Sequence, residues 1–152
     1  MTLSTQTDPA VLTVEEVRLL TALGFVAAGR GDVSRAERIF KGLMAIRPMR
    51  AFPYIGLAMA YMNGRRVDEA LQVFNEGGQA LRALDLANAS HNDEYRELLA
   101  FRGLILQLAG RNHESQMDLH SAAVGAGPGS ALARRMLGLE APDVGPVIRD
   151  QS

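Results

Sequence analysis

The sequence predicts an all-α protein, a solenoid of about three helix-turn-helix repeats followed by a C-terminal capping helix. The main observation is a period of 34 residues, seen in Leu23 with Leu57, Val33 with Val67, Ala36 with Ala70, and Phe40 with Phe74. A fixed period of this length, with small and large apolar residues at set offsets, is typical of stacked helical hairpins. The composition agrees, because 47% of the residues are hydrophobic, only 5% are aromatic and Trp is absent.

Capping signals predict the first hairpin. Thr13 followed by Glu16 is a capping box, in which each side chain accepts a hydrogen bond from the other residue's backbone N–H. The first helix then ends at residues 29–32, where glycine suits the left-handed position and Asp32 can cap the second helix. We expect that second helix to span about residues 33–46 and to end before Pro48.

The second hairpin begins near residue 51, and Pro53 is tolerated in the first turn because its missing N–H has no helical partner there. Its first helix ends at residues 63–64 and its second begins near Val67, continuing to about Leu86. Residues 77–78 are two glycines within that helix. They either weaken it, by roughly 1 kcal/mol each relative to Ala, or permit a close backbone approach. The sequence leaves both readings open.

The period then changes, because the segment starting at Met62 recurs 46 residues later at Leu108. This spacing places Gln116 at the position of Ala36 and Ala70, and His120 at the position of Phe40 and Phe74. The third repeat is therefore expected to be degenerate, as terminal repeats often are. Ser90 with Asp93 is expected to cap a helix over about 91–109, after an insertion at about 83–94.

A last short helix is expected after the glycine-rich residues 125–129, with Ser130 as its cap. Its Leu132, Met136 and Leu139 are spaced to cover the end of the stack. The predicted organisation is a flexible arm at 1–12, a repeat domain at 13–139 with repeats at about 17–50, 51–84 and 97–124 and a capping helix at 130–139, and a flexible tail at 140–152.

Composition and spacing argue against several classes of function. The net charge is −1, so nothing favours nucleic acid or an anionic membrane as a partner. Cys is absent, and no two of the three His residues have the spacing of a metal-binding helix, so we expect no metal and no cofactor. No nucleophile motif is present and the acidic pairs lie at helix starts, so we expect no enzyme. Without a secretory signal or a long apolar run, we expect a cytoplasmic protein that does not insert into membranes.

The repeat resembles the tetratricopeptide repeat family, whose pattern is matched by Leu23-Gly24, Tyr61, Ala36, Ala70, Phe40, Phe74 and Pro48. That resemblance implies a right-handed solenoid in which the first helix of each pair lines a concave groove. The implied partner-binding groove is apolar and consists of Phe25, Phe52, Ile55, Met59, Met62, Leu98, Phe101 and Ile105.

Three such repeats with an N-terminal arm also resemble the chaperones of type III secretion translocators. The resemblance implies a chaperone that holds an extended segment of a secreted or membrane-inserting protein in the groove. A homodimer or a small helical co-chaperone would be a further partner, and a needle-subunit chaperone would look much the same. The alternative is a structural adaptor that bridges proteins or self-associates without chaperone activity, with its groove filled internally. The sequence does not decide whether the arm or tail occupies the groove.

Overall fold

The computed structural model describes residues 12–84 and 93–139, and within these ranges every regular element is a helix. The predicted all-α class is therefore confirmed for the described part of the chain. The helices are α1 (Val14–Gly29), α2 (Val33–Ile46), α3 (Phe52–Asn63), α4 (Val67–Leu84), α5 (Asp93–Leu108), α6 (Asn112–Ala122) and α7 (Pro128–Met136). We call α1–α2, α3–α4 and α5–α6 hairpins one, two and three.

The predicted capping signals operate at the expected helix ends. The Thr13 N–H donates to Glu16 Oε2 at 2.8 Å, and the Glu16 N–H donates to Thr13 Oγ1 at 3.1 Å, which confirms the capping box. Asp32 caps α2 by accepting the Arg35 N–H at 3.2 Å. Pro53 lies in the first turn of α3, where its missing N–H breaks no helical bond.

The chain divides into two compact units, Met1–Leu86 and Ala87–Ser152. In the first unit α2 packs on both α1 and α3, α3 also packs on α1, and α4 packs on α3. The core of this unit includes the fully buried Phe40, Leu43 and Phe74. In the second unit α7 packs on both helices of hairpin three, around the buried residues Leu99, Ala100, Leu119, Ala122 and Ala133.

The same turn joins the two helices of every hairpin. One residue of each turn has a left-handed φ, and these residues are Gly31 (67°), Arg65 (61°) and Gly110 (78°). The next N–H donates to a carbonyl five residues back, from Asp32 to Ala27 at 3.0 Å, from Arg66 to Tyr61 at 2.8 Å and from Arg111 to Leu106 at 2.8 Å. These bonds satisfy carbonyls that the helix end would otherwise leave without donors.

The turn bonds correct the predicted register of hairpin three. Arg66 and Arg111 are equivalent and 45 residues apart, not 46. The small buried position of Ala36 and Ala70 is therefore filled by Ser115, and the large buried position of Phe40 and Phe74 is filled by Leu119. Gln116 and His120, which the sequence interpretation placed there, are both exposed. Hairpin three keeps the small-large pattern with different residues.

The predicted capping helix also needs correction. It begins at Pro128, with Gly127 as its N-cap, so Ser130 lies inside the helix instead of capping it. The Ser130 hydroxyl is buried and has no hydrogen-bond partner among the described residues. Leu132 and Met136 pack against the core of the second unit as predicted, whereas Leu139 lies beyond the helix and is exposed.

The structure shows a close contact at one glycine of the pair in α4. A Cβ atom built on Gly77 would lie 2.7 Å from Cγ of Tyr54, closer than real Cβ contacts, so Gly77 makes room for the Tyr54 side chain of α3. Residues 1–11 of the predicted arm at 1–12, the tail at 140–152, the Ser90 cap and most of the predicted insertion lie outside the described residues.

Candidate protein-binding surfaces

The predicted groove residues of the first unit lie on one face of α1 and one face of α3. Phe25 of α1 is half-buried and its ring meets the buried ring of Phe40 edge-on, with centroids 5.2 Å apart. Thr21, one turn earlier, donates its hydroxyl to the Val17 carbonyl at 2.6 Å. The hydroxyl is thus satisfied within the helix, and Phe25 is the apolar side chain that this stripe of α1 offers to solvent.

On α3 the predicted residues form one stripe, because Phe52, Ile55, Met59 and Met62 follow one another at spacings of three and four. Phe52, Met59 and Met62 are half-buried, while Ile55 is buried in the core. The Arg50 guanidinium lies over the Phe52 ring, 5.6 Å from its centroid. We define the groove face of the first unit as Phe25, Phe52, Met59 and Met62.

In the second unit the predicted residues lie along α5. Leu98 and Ile105 are buried, so they support the packing of this unit. Phe101 is half-buried, and it is the one of these three that offers apolar surface to solvent. Of the eight predicted residues, Ile55, Leu98 and Ile105 are core residues and the other five are partly accessible.

Besides Val14 at its start, α1 exposes three large apolar side chains on another side, which we call the open face. It consists of Leu19, Leu23 and Val26, which are 62%, 49% and 53% exposed. The residues 34 positions later, Pro53, Leu57 and Ala60, are all buried. Sequence reasoning placed Leu23 in the repeat pattern but did not predict its exposure. The available signal was that no helix precedes hairpin one within the part of the chain that the structure describes.

A cavity of about 250 Å³ lies between α2, α3 and α4 in the first unit, and the charged residues of its lining are Lys41, Glu69 and Glu76. Lys41 Nζ donates to Glu37 Oε1 at 2.5 Å, and Arg66 donates to both carboxylate oxygens of Glu69. Burial raises the pKa of Tyr61, and the negative charge of Glu37 raises it further. Two of the lining charges, Lys41 and Glu69, are thus each paired with an opposite charge on their own helix or at its start, which is typical of the solvated side of a helical hairpin.

No group of three or more His, Cys, Asp or Glu side chains is arranged to hold a metal ion within residues 12–84 and 93–139. Over the same residues, no helix combines the length and the apolar character needed to cross a membrane. Comparison with known proteins found no family that matches the chain, and neither a curated protein nor a solved structure with significant similarity.

Proposed function

We propose that this chain is a tetratricopeptide-type repeat protein that binds an extended apolar segment of another protein. Three features of the described residues support the repeat assignment. The turn geometry is the same in three hairpins, the spacing of hairpins one and two is 34 residues, and a small residue and a large apolar residue are buried at equivalent positions.

The observation that carries the binding proposal is the groove face. Phe25, Phe52, Met59 and Met62 keep apolar atoms accessible although the same helices bury many smaller side chains. A cluster of large accessible apolar side chains is a common feature of interaction sites. Two of the four are Met, whose flexible thioether chain adapts to different partner side chains.

An extended segment suits this surface because Phe52, Met59 and Met62 follow one another along α3 and are all partly accessible. Alternate side chains of the segment would pack beside Phe52 and Met59. Burying one large apolar anchor contributes roughly 1.5–3 kcal/mol. Two or three anchors, after the cost of ordering the segment, correspond to affinity in about the micromolar range.

The resemblance to translocator chaperones extends the proposal to a secreted partner. A chain with this role would keep an aggregation-prone segment covered until export. The structural adaptor is the second candidate, and it is favoured by the open face and by the burial of Ile55, Leu98 and Ile105. An adaptor would use surfaces other than the groove face, which makes the two proposals separable by mutation.

Fluorescence polarisation with labelled extended peptides tests the groove face. A peptide with Leu or Phe at alternate positions should bind, and a peptide with Ser at those positions should not. Met59→Glu should weaken binding at least about tenfold, because a carboxylate at the contact loses its hydration. Met117→Glu is the matched control, since Met117 is exposed on α6. Phe52→Ala should weaken binding without introducing a charge.

Circular dichroism must show that each variant keeps the helical content of the original chain. Equal peptide binding by folded Met59→Glu, Phe52→Ala and Met117→Glu would refute the groove-face proposal.

A pull-down with the tagged protein separates the export chaperone from the adaptor. Capture of one secreted protein by the original chain, lost in Met59→Glu, would support the export chaperone. Capture of several folded proteins by both chains would favour the adaptor.

A further inference from the structure

The open face of α1 is equivalent to a surface that the protein covers elsewhere. Leu23 is 49% exposed, whereas Leu57 at the equivalent position of α3 is 2% exposed because α2 packs against α3. The same contrast holds for Leu19 with Pro53 and for Val26 with Ala60. The protein buries the equivalent face of α3 against a helix. The open face of α1 therefore has a shape that another helix can pack against.

The residues of this face are arranged symmetrically along the helix. Glu15, Leu19, Ala22, Leu23, Val26 and Arg30 follow one another at spacings of four, three, one, three and four residues. These spacings read the same in both directions. The first five positions share one side of α1, and Arg30 is the C-cap residue directly after the helix. An acidic residue stands at one end of the series and a basic residue at the other.

We infer that the open face of α1 pairs with α1 of a second copy of this chain in antiparallel orientation. A twofold axis near Ala22 and Leu23 then brings Leu19 against Val26 of the second copy, and Ala22 against its Leu23. The same axis brings Glu15 close to Arg30 of the second copy, twice per pair. A twofold interface requires such self-complementarity.

The charges favour this orientation over a parallel one. In a parallel pair Glu15 would face Glu15 and Arg30 would face Arg30, and like charges placed together are unfavourable. Within its own chain Glu15 makes only a loose, exposed pair with Arg18 at 3.5 Å, which is easily exchanged. Among the described residues no carboxylate forms a salt bridge with Arg30.

A second copy fits the face better than the segment that precedes α1. Residues 1–11, MTLSTQTDPAV, are mostly polar and include Pro9, so they provide few apolar side chains at helical spacing. One helix pair buries less surface than the ~1,200–2,000 Å² typical of stable interfaces. The expected dimer is therefore weak and depends on protein concentration.

Sedimentation velocity of the full chain over a wide concentration range tests the inference. We expect a reversible monomer–dimer equilibrium for the original protein. Leu23→Glu should weaken the dimer at least about tenfold, as expected for a central interface residue. Leu108→Glu is the matched control, because Leu108 is an exposed leucine of α5, and it should leave the equilibrium unchanged.

Charge reversal tests the antiparallel orientation itself. Glu15→Arg and Arg30→Glu should each weaken the dimer, because each places like charges at both ends of the helix pair. The double variant Glu15→Arg/Arg30→Glu restores opposite charges and should recover dimerisation. A purely structural effect of either substitution would not be rescued by the other.

Three results would overturn the inference. The first is a protein that stays monomeric at the highest concentration tested. The second is dimerisation that appears only after residues 1–11 are removed, which would show that this segment covers the face. The third is a dimer that persists at the original strength in folded Leu23→Glu or is not recovered in the double charge reversal. None of these results depends on peptide binding at the groove face, so the two proposals fail independently.

Discussion

Hairpins one and three have the same geometry but achieve it with different side chains. In hairpin one Gly24 makes room for an aromatic ring, and a Cβ there would lie 2.8 Å from Phe40 Cζ. In hairpin three Gly103 makes room for an aliphatic side chain, and a Cβ there would lie 2.8 Å from Leu119 Cγ. The close contact between a small residue and a large one is common to both hairpins, so the shape matters more than the residue type.

A second difference, between hairpins two and three, concerns the pair of positions next to the small and large residues in sequence. Leu57 and Val73 occupy them as buried apolar residues in hairpin two. Arg102 and Asp118 occupy them in hairpin three, where Arg102 Nε and Nη2 donate to the two carboxylate oxygens at 2.5 and 2.7 Å. These hydrogen bonds raise the pKa of Arg102 above its ordinary value. The same helix packing is therefore compatible with an apolar pair and with a bidentate ion pair.

Phe40→Ala should have the largest effect on stability. Phe40 is fully buried and its ring contacts Phe25, so truncation leaves a cavity and should cost about 3–5 kcal/mol. Leu119→Ala in hairpin three should cost about 2–5 kcal/mol for the same reason. Urea unfolding followed by circular dichroism measures the total loss. Hydrogen exchange on peptides from each unit shows which unit is destabilised.

Phe40→Ala should raise exchange in α1–α3 and leave α5–α7 close to the original protein. Leu119→Ala should show the opposite pattern. Equal loss of protection in both units by either variant would mean that the two units unfold together. In that case hairpins one and three could not be compared as separate units.

The sequence allowed hairpins one and two to be predicted well because their equivalent residues are identical or similar. Hairpin three was predicted one residue out of register, and the cause lies in the turn. The sequence interpretation matched Gly64 with Gly110, since both are glycines. In the structure the left-handed residue of hairpin two is Arg65, and Gly110 is equivalent to that residue. A non-glycine residue with positive φ is uncommon, so glycine was a misleading guide here.

The candidate binding surface was less predictable than the fold, because helical spacing identifies a face without giving its exposure. Ile55 and Met59 belong to the same stripe of α3, yet the first is buried and the second is half-buried. Leu23 and Leu57 are identical at equivalent positions and differ in exposure because α2 packs against α3 beside Leu57, whereas no described helix covers the equivalent face of α1. Exposure depends on which helices pack nearby, and that information is not local to the residue.

Arg102→Ala should have the next largest effect. It leaves the Asp118 carboxylate mostly buried without its guanidinium partner, at a cost of about 2–3 kcal/mol. The double variant Arg102→Leu/Asp118→Val gives hairpin three the residues of hairpin two. Replacing a buried ion pair by apolar residues of suitable volume is often neutral or stabilising. Urea unfolding of both variants measures how much each one changes the free energy of unfolding.

A double variant less stable than Arg102→Ala would show that the ion pair is required by the local packing of the second unit. The equivalence between hairpins two and three would then hold for the backbone but not for the side chains. Arg111→Ala serves as a control, because the Arg111–Glu114 pair is exposed and should contribute little.

Ser115→Ala should have the smallest effect on stability. It tests whether hairpin three needs only a small residue at this position, as hairpins one and two do. Ser115 is buried at the position of Ala36 and Ala70, and its hydroxyl donates to the Gly103 carbonyl at 2.6 Å. Alanine removes this hydrogen bond, at a cost of about 1 kcal/mol, without creating a large cavity. Ser121→Ala on the exposed side of α6 is the control. If Ser115→Ala costs no more than this control in urea unfolding, the small size of the residue is what hairpin three needs. A loss well above 1 kcal/mol would mean that the hydroxyl holds α5 and α6 together, in contrast to hairpins one and two.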